Sequence, residues 1–185
     1  MTRIGYSNQA YLETQSAKIL ERVNMFGDKL YLEFGGKLFD DYHASRVLPG
    51  FEPDSKIRML EKLKDKTEVI FAINASDIEK NKIRGDLGIT YDMDLLRQID
   101  AFRSYGLYVS SVVLTQFAGQ SNAESYQQKL EKLGLKVYRH YPIAGYPSNV
   151  NLIVSDEGYG KNEYVETTRP IVVVTAPGPG SGNMA

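Results

Sequence analysis

No cysteine occurs anywhere in the 185 residues. That excludes disulfides, thiolate metal sites and cysteine nucleophiles. Tryptophan is also absent, and histidine occurs only at His43 and His140, too few for a histidine-rich metal centre. No apolar run is long enough to span a bilayer, and residues 1–7 lack the apolar segment of a secretory signal. The expectation is a cytoplasmic protein with no membrane partner. Neither sign of charge dominates. The net charge is −1 and the charges are interspersed, with no basic stripe for nucleic acid and no acidic tail.

What remains is the composition of an ordinary globular protein, 42% apolar and 24% charged. The length suits one α/β domain with a real core, so residues 1–185 read as a single domain. Apolar residues recur at helical spacing from Asn8 to Phe26, with Gly27 as the stop. Leu30–Phe34 then reads as a strand running into Gly35-Gly36-Lys37. Asp40–Leu48 reads as a helical turn or short helix. A second helix near Pro53 carries Ile57, Leu60 and Leu63. Val69–Ile73 is the next strand, and 78–90 is polar and irregular. A helix from Asp94 to about Gly106 precedes the strand Tyr108–Thr115. A further helix, Ser121–Leu133, precedes the strand Val137–Tyr141. Residues 144–170, rich in Gly, Pro, Asn and Asp, read as a surface excursion. Ile171-Val172-Val173-Val174 is a last, buried strand.

Strands that alternate with helices imply βαβ units. The expected fold is α/β: a mostly parallel, Rossmann-like sheet flanked by helices on both faces, cut short after its C-terminal strand. Residues 171–185 form that strand and an incomplete glycine-rich, phosphate-loop-like turn. In such sheets ligands bind beyond the carboxyl ends of the strands. This sequence puts polar or glycine residues there repeatedly.

The turn Gly178-x-Gly180-Ser181-Gly182 is the sharpest of these signals. Glycine permits positive φ and close approach of an anion to backbone N–H groups. Gly178, Gly180, Ser181 and Gly182 are therefore candidate phosphate-binding residues. The strict phosphate-loop pattern is not met, because Asn183 stands at the lysine position and Met184 at the hydroxyl position. The simpler alternative is a tight strand-to-helix turn. Lys37, Arg46 and Arg84 are candidate cationic partners for the phosphate. The alternatives are a solvated turn lysine and an Arg84–Asp86 pair that merely holds a loop. His43, oriented by Asp40 or Asp41, is the candidate acid/base, with an exposed charged turn as the alternative. Asn74 and Asp77 suit either a ribose hydroxyl or the cap of the next turn. No metal site is expected.

Several blocks together resemble a known family. They are Glu33-Phe34-Gly35-Gly36-Lys37, His43-Ala44-x-Arg46-Val47-Leu48-Pro49-Gly50, Ile73-Asn74-Ala75-Ser76, Arg84-Gly85-Asp86-Leu87-Gly88-Ile89 and Val174 through Gly182. The sequence resembles, over nearly its whole length, the N-terminal portion of the bacterial family catalogued as domain of unknown function 1846. The resemblance implies a longer architecture and a glycine loop that continues into lysine, where this sequence has Asn183. The expected function is binding of a small phosphorylated or nucleotide ligand at the carboxyl edge of the sheet. If that site is catalytic, the chemistry expected is that of a transferase or hydrolase. The alternatives are a non-catalytic binding or regulatory module, or a fragment without autonomous function. Self-association as a homo-oligomer stays open.

Overall fold

The computed structural model describes residues 5–27 and 29–181. Helix α1 (Asn8–Phe26) starts where Ser7, extended in backbone, accepts a hydrogen bond from the Ala10 amide, and it stops at Gly27, where φ reaches 89°. Strand β1 (Leu30–Phe34) alternates, with Leu30, Leu32 and Phe34 turned to the core and Tyr31 and Glu33 to solvent. Two short helices follow, α2 (Tyr42–Val47) and α3 (Ser55–Glu61). Strand β2 (Thr67–Asn74) leads directly into α4 (Ala75–Glu79).

The polar stretch that sequence periodicity leaves irregular contains a small antiparallel hairpin, β3 (Ile83–Arg84) and β4 (Ile89–Thr90). Then come α5 (Tyr91–Ser104), β5 (Tyr108–Thr115), α6 (Ser121–Lys132) and β6 (Lys136–Arg139). One helical turn, α7 (Val150–Ile153), interrupts the long excursion before β7 (Ile171–Thr175).

The main sheet has five parallel strands in the order β1-β7-β2-β5-β6. The last strand is thus internal. Its residues 171–175 pair with 30–34 on one side and with 67–71 on the other. Ile171, Val172 and Val173 are fully buried. The expected burial of this β-branched run holds, and its lack of alternation follows from cover on both faces.

Handedness explains how the two faces are covered. The steps β1→β2→β5→β6 all advance in one direction across the sheet, so right-handed crossovers put their helices on one face. There Leu12, Ile57, Leu60, Leu95, Phe102 and Leu130 pack with Val69, Phe71, Leu114 and Val173 in the main core. Each such side chain taken from water contributes roughly 1.5–3 kcal/mol. The return β6→β7 runs backwards, so it crosses the opposite face. That face carries a smaller cluster, Ile70, Val113 and Val172, with Tyr138, Val165 and Val174 packed on it. Its cover is an irregular strap rather than a long helix. The strap is tied down at Glu68, which is almost fully buried and accepts from the amides of Thr168 and Arg169, and at Tyr138, whose hydroxyl accepts from the Glu166 amide.

Candidate functional site

A cleft of about 490 Å³ opens at the carboxyl ends of β1 and β7. One wall is the end of β1 and its turn, Glu33 with Gly35-Gly36-Lys37. The second is the tip of the β3–β4 hairpin, Arg84-Gly85-Asp86, with Tyr91 from the start of α5. The third is Ala176-Pro177-Gly178-Pro179 behind β7. The sheet order makes this juxtaposition, because among the described residues only β7 pairs with β1.

Local sequence sets the shape of the walls. At Gly36 a Cβ would stand 3.2 Å from the Ala176 carbonyl oxygen, so the two loops approach more closely than most side chains permit. Lys37 adopts a φ of 59°, an uncommon left-handed conformation for lysine. Gly180, at φ 79°, supplies the left-handed position of the second loop.

The loop after β7 is fixed through its carbonyl groups. The Pro177 oxygen accepts from Arg84 Nη1 at 3.3 Å, and the Gly178 oxygen accepts from Ser181 Oγ at 2.8 Å. The Gly180 oxygen accepts from Asn74 Nδ2 at 3.2 Å, and the Ser181 oxygen accepts from the Thr115 hydroxyl. The amides behave differently. The N–H groups of Gly36, Lys37, Gly178, Gly180 and Ser181 have no hydrogen-bond acceptor among the described residues. Side chains thus anchor the carbonyls of this loop, and these five amides are left over.

Behind the cleft lies a chain of ion pairs. Arg84, 7% exposed, holds Asp86 through two bonds, Nε–Oδ1 at 2.8 Å and Nη2–Oδ2 at 3.1 Å. Its Nη1 reaches the fully buried Asp94 at 2.6 Å. Asp94 also accepts from Gln98 at 2.8 Å and from Arg97 Nε at 2.9 Å, and Arg97 continues to Asp40 at 3.0 Å. Burial acts to lower the Arg84 pKa, but the hydrogen bonds and charges of Asp86 and Asp94 outweigh it and drive the value upward. Arg84 therefore stays charged. The same guanidinium, chiefly by its hydrogen bond, holds the Asp86 carboxyl below its ordinary value. Lys37 Nζ forms a long, half-exposed ion pair with Asp86 at 3.9 Å.

The residues singled out from sequence are thus distributed unevenly. Lys37, Arg84 and Gly178 line the cleft, whereas Gly180 and Ser181 follow in the same loop with their carbonyls held by Asn74 and Thr115. Gly182 and Asn183 lie outside the described residues. His43 and Arg46 are exposed on α2 and do not line the cleft. Asp41 caps α2 by accepting from the Ala44 amide at 3.1 Å and pairs with Lys56 at 2.7 Å. Asp40 pairs with Arg97. Asn74 takes the capping role, its Oδ1 accepting from the Ser76 amide at 2.8 Å, while its amide nitrogen reaches Gly180. Asp77 pairs with Lys82.

Sequence reasoning passes over Glu33, Tyr91, Asp94 and Thr115. The available hint for Glu33 is its outward position on β1, two residues before Gly35. Thr115 ends an apolar strand, as Asn74 does. Among the described residues no group of three or more metal-binding side chains forms.

Comparison with known proteins accords with the resemblance in the sequence blocks. The family model described as "Domain of unknown function DUF1846, N-terminal" matches residues 4–185, and the chain belongs to that family. A UPF0371 protein of Clostridium botulinum (strain Langeland) is 62% identical over 183 residues, which is 99% of this chain and 36% of the relative. A UPF0371 protein of Clostridium tetani (strain Massachusetts) is 61% identical over the same shares. One of Clostridioides difficile (strain 630) is 62% identical over 182 residues, 98% of this chain and 36% of the relative. The chain spans about a third of the length of these curated relatives.

Proposed function

We propose that this member of the DUF1846 N-terminal family binds a small phosphorylated ligand, nucleotides included, in the cleft between the β1 turn and the loop after β7. One observation carries the proposal. Four side chains fix the carbonyls of Pro177, Gly178, Gly180 and Ser181, and the neighbouring amides are left without a described acceptor. Such donors cost nothing to reorganise when an anion arrives. Lys37 supplies the mobile cation at the mouth, partly balanced by Asp86. Arg84 serves the site indirectly, since its guanidinium holds two carboxylates and the Pro177 carbonyl. A cytoplasmic setting and the absence of nucleic-acid partners belong to the same proposal.

Calorimetric titration with ATP, GTP, NAD and sugar phosphates tests it. Micromolar to millimolar binding of at least one class is the expected result, and no heat from any of them ends the proposal.

A second function, binding without chemistry, is favoured by the position of His43. The ionisable groups lining the cleft are Glu33, Lys37, Arg84, Asp86 and Tyr91, with no histidine among them. Turnover of a bound nucleotide, followed by phosphate release, separates a binding module from a transferase or hydrolase.

A further inference from the structure

The cleft contains acceptors as well as donors. Glu33 stands on the solvent-facing side of β1 and lines one wall, and Asp86 lines the wall opposite. Asp86 is half exposed although it chelates Arg84, and a carboxylate oxygen can accept more than one hydrogen bond. With Lys37 and Arg84, the Asp, Glu, Lys and Arg residues lining the cleft are two of each sign. A wall shaped for a bare anion would carry an excess of cations, because a carboxylate within reach of a phosphate repels it. A carboxylate binds a hydroxyl group well, by accepting a charge-assisted hydrogen bond.

Size points the same way. A volume of about 490 Å³ falls in the range of small-molecule sites, roughly 300–1,000 Å³, and exceeds what a phosphate group alone fills. Pro177 and Pro179 add apolar surface to the cleft, suited to the face of a sugar ring.

Resting on the phosphate-binding function proposed above, we infer that the ligand is a phosphate ester of a polyhydroxylated sugar. The loop amides and Lys37 receive the phosphate, and Glu33 and Asp86 accept hydrogen bonds from the sugar hydroxyls. A free sugar phosphate and the ribose phosphate of a nucleotide share that chemistry.

The experiment compares methyl phosphate, ribose 5-phosphate and AMP by calorimetry on the wild-type protein and on Glu33→Gln and Asp86→Asn. Ribose 5-phosphate is expected to bind about tenfold or more tightly than methyl phosphate. In each variant that ratio is expected to fall to about threefold or less. Asp86→Asn is expected to hold methyl phosphate at least as well as the wild type, because a repelling charge next to Lys37 is gone. That retained binding also shows that the variant is folded. AMP tighter than ribose 5-phosphate assigns the sugar to a nucleotide, and the reverse order assigns it to a free sugar phosphate. Equal binding of methyl phosphate and ribose 5-phosphate by the wild type overturns this inference and leaves the anion site standing. So does a ratio unchanged in both variants. Failure of all three compounds to bind overturns the anion site itself.

Discussion

Gly178 lies flat against Tyr91: a Cβ at position 178 would stand 2.0 Å from the Tyr91 ring carbon Cε1. The glycine in the loop after β7 thus has a packing reason beside any ligand. Tyr91 is 8% exposed and opens α5, so the loop and the helix are pressed together at this point. Gly178→Ala must displace the loop or the ring, with an expected loss of about 1–3 kcal/mol in urea unfolding. The double variant with Tyr91→Ala should recover part of that loss. A double-mutant cycle measures the coupling, and simple additivity contradicts the contact.

The second prediction concerns the buried carboxylate. Asp94 is fully buried between Arg84 and Arg97. Asp94→Ala leaves a buried guanidinium short of a partner, with an expected destabilisation near 3 kcal/mol, at the lower end for a broken buried pair because Asp86 and Asp40 remain. Asp86→Ala, at a half-exposed position, should cost about 1 kcal/mol or less. Urea midpoints for the two variants decide the order, and an equal cost contradicts the burial argument.

Lys37 is expected to act on ligand and not on fold. Its ammonium is about half exposed and its ion pair with Asp86 is long. Lys37→Met should leave stability within about 0.5 kcal/mol of the wild type. It should weaken a phosphate ester by about five- to tenfold and flatten the salt dependence of binding. Titrations at two ionic strengths provide the comparison.

Thr115 tests whether the loop is anchored from the sheet. Its buried hydroxyl donates to the Ser181 carbonyl. Thr115→Val keeps the shape and removes the donor, which strands a carbonyl at a cost of about 1–2 kcal/mol. Phosphate affinity should fall with it, because the amides lose their fixed direction. Calorimetry well below the melting temperature separates the affinity loss from the stability loss.

A pH prediction follows from Asp41. Burial alone would raise its carboxyl pKa, but hydrogen bonds from Lys56 and the Ala44 amide, helped by the Lys56 charge, outweigh burial and hold it below the ordinary value. The folded value is therefore lower than the unfolded value of about 3.9. Its contribution is complete above the unfolded value and is lost as pH falls through the folded one. Asp41→Asn keeps a capping side chain and removes the charge. The stability gap between wild type and Asp41→Asn should be constant from pH 7 to about pH 5 and should close below about pH 4. Urea midpoints across that range check it.

Much of the fold is legible locally. The bounds of α1, β1 and β5 coincide with those read from apolar spacing, because Gly27, Gly35 and Gly106 punctuate strongly periodic runs. The β3–β4 hairpin is not legible, since two-residue strands carry no period. Start positions drift where capping is weak: α5 begins at Tyr91, three residues before Asp94, and its N-cap Thr90 makes no side-chain bond. The thin cover on the second face follows from strand order, which local pattern does not encode.

The site divides in the same way. Lys37, Arg84 and Gly178 were legible as chemistry-bearing groups at loop positions, and the cleft brings them together. The role of Arg84 was not, because its partner Asp94 reads in sequence as an ordinary first-turn carboxylate of α5. Its burial depends on the hairpin folding back over that helix. Glu33 was illegible for a similar reason, since its neighbour across the cleft lies on a loop more than fifty residues away.

Strand β7 slots between β1 and β2, and among the described residues β1 has no other strand partner. A nascent chain emerging from the ribosome must therefore hold β1 undocked until residues near 175 are free. Folding of this sheet is gated by its final strand, with the slow, long-range closure that high sequence separation imposes. A nascent chain stalled short of residue 171 should show β1 open to protease while β2 and β5 are already protected.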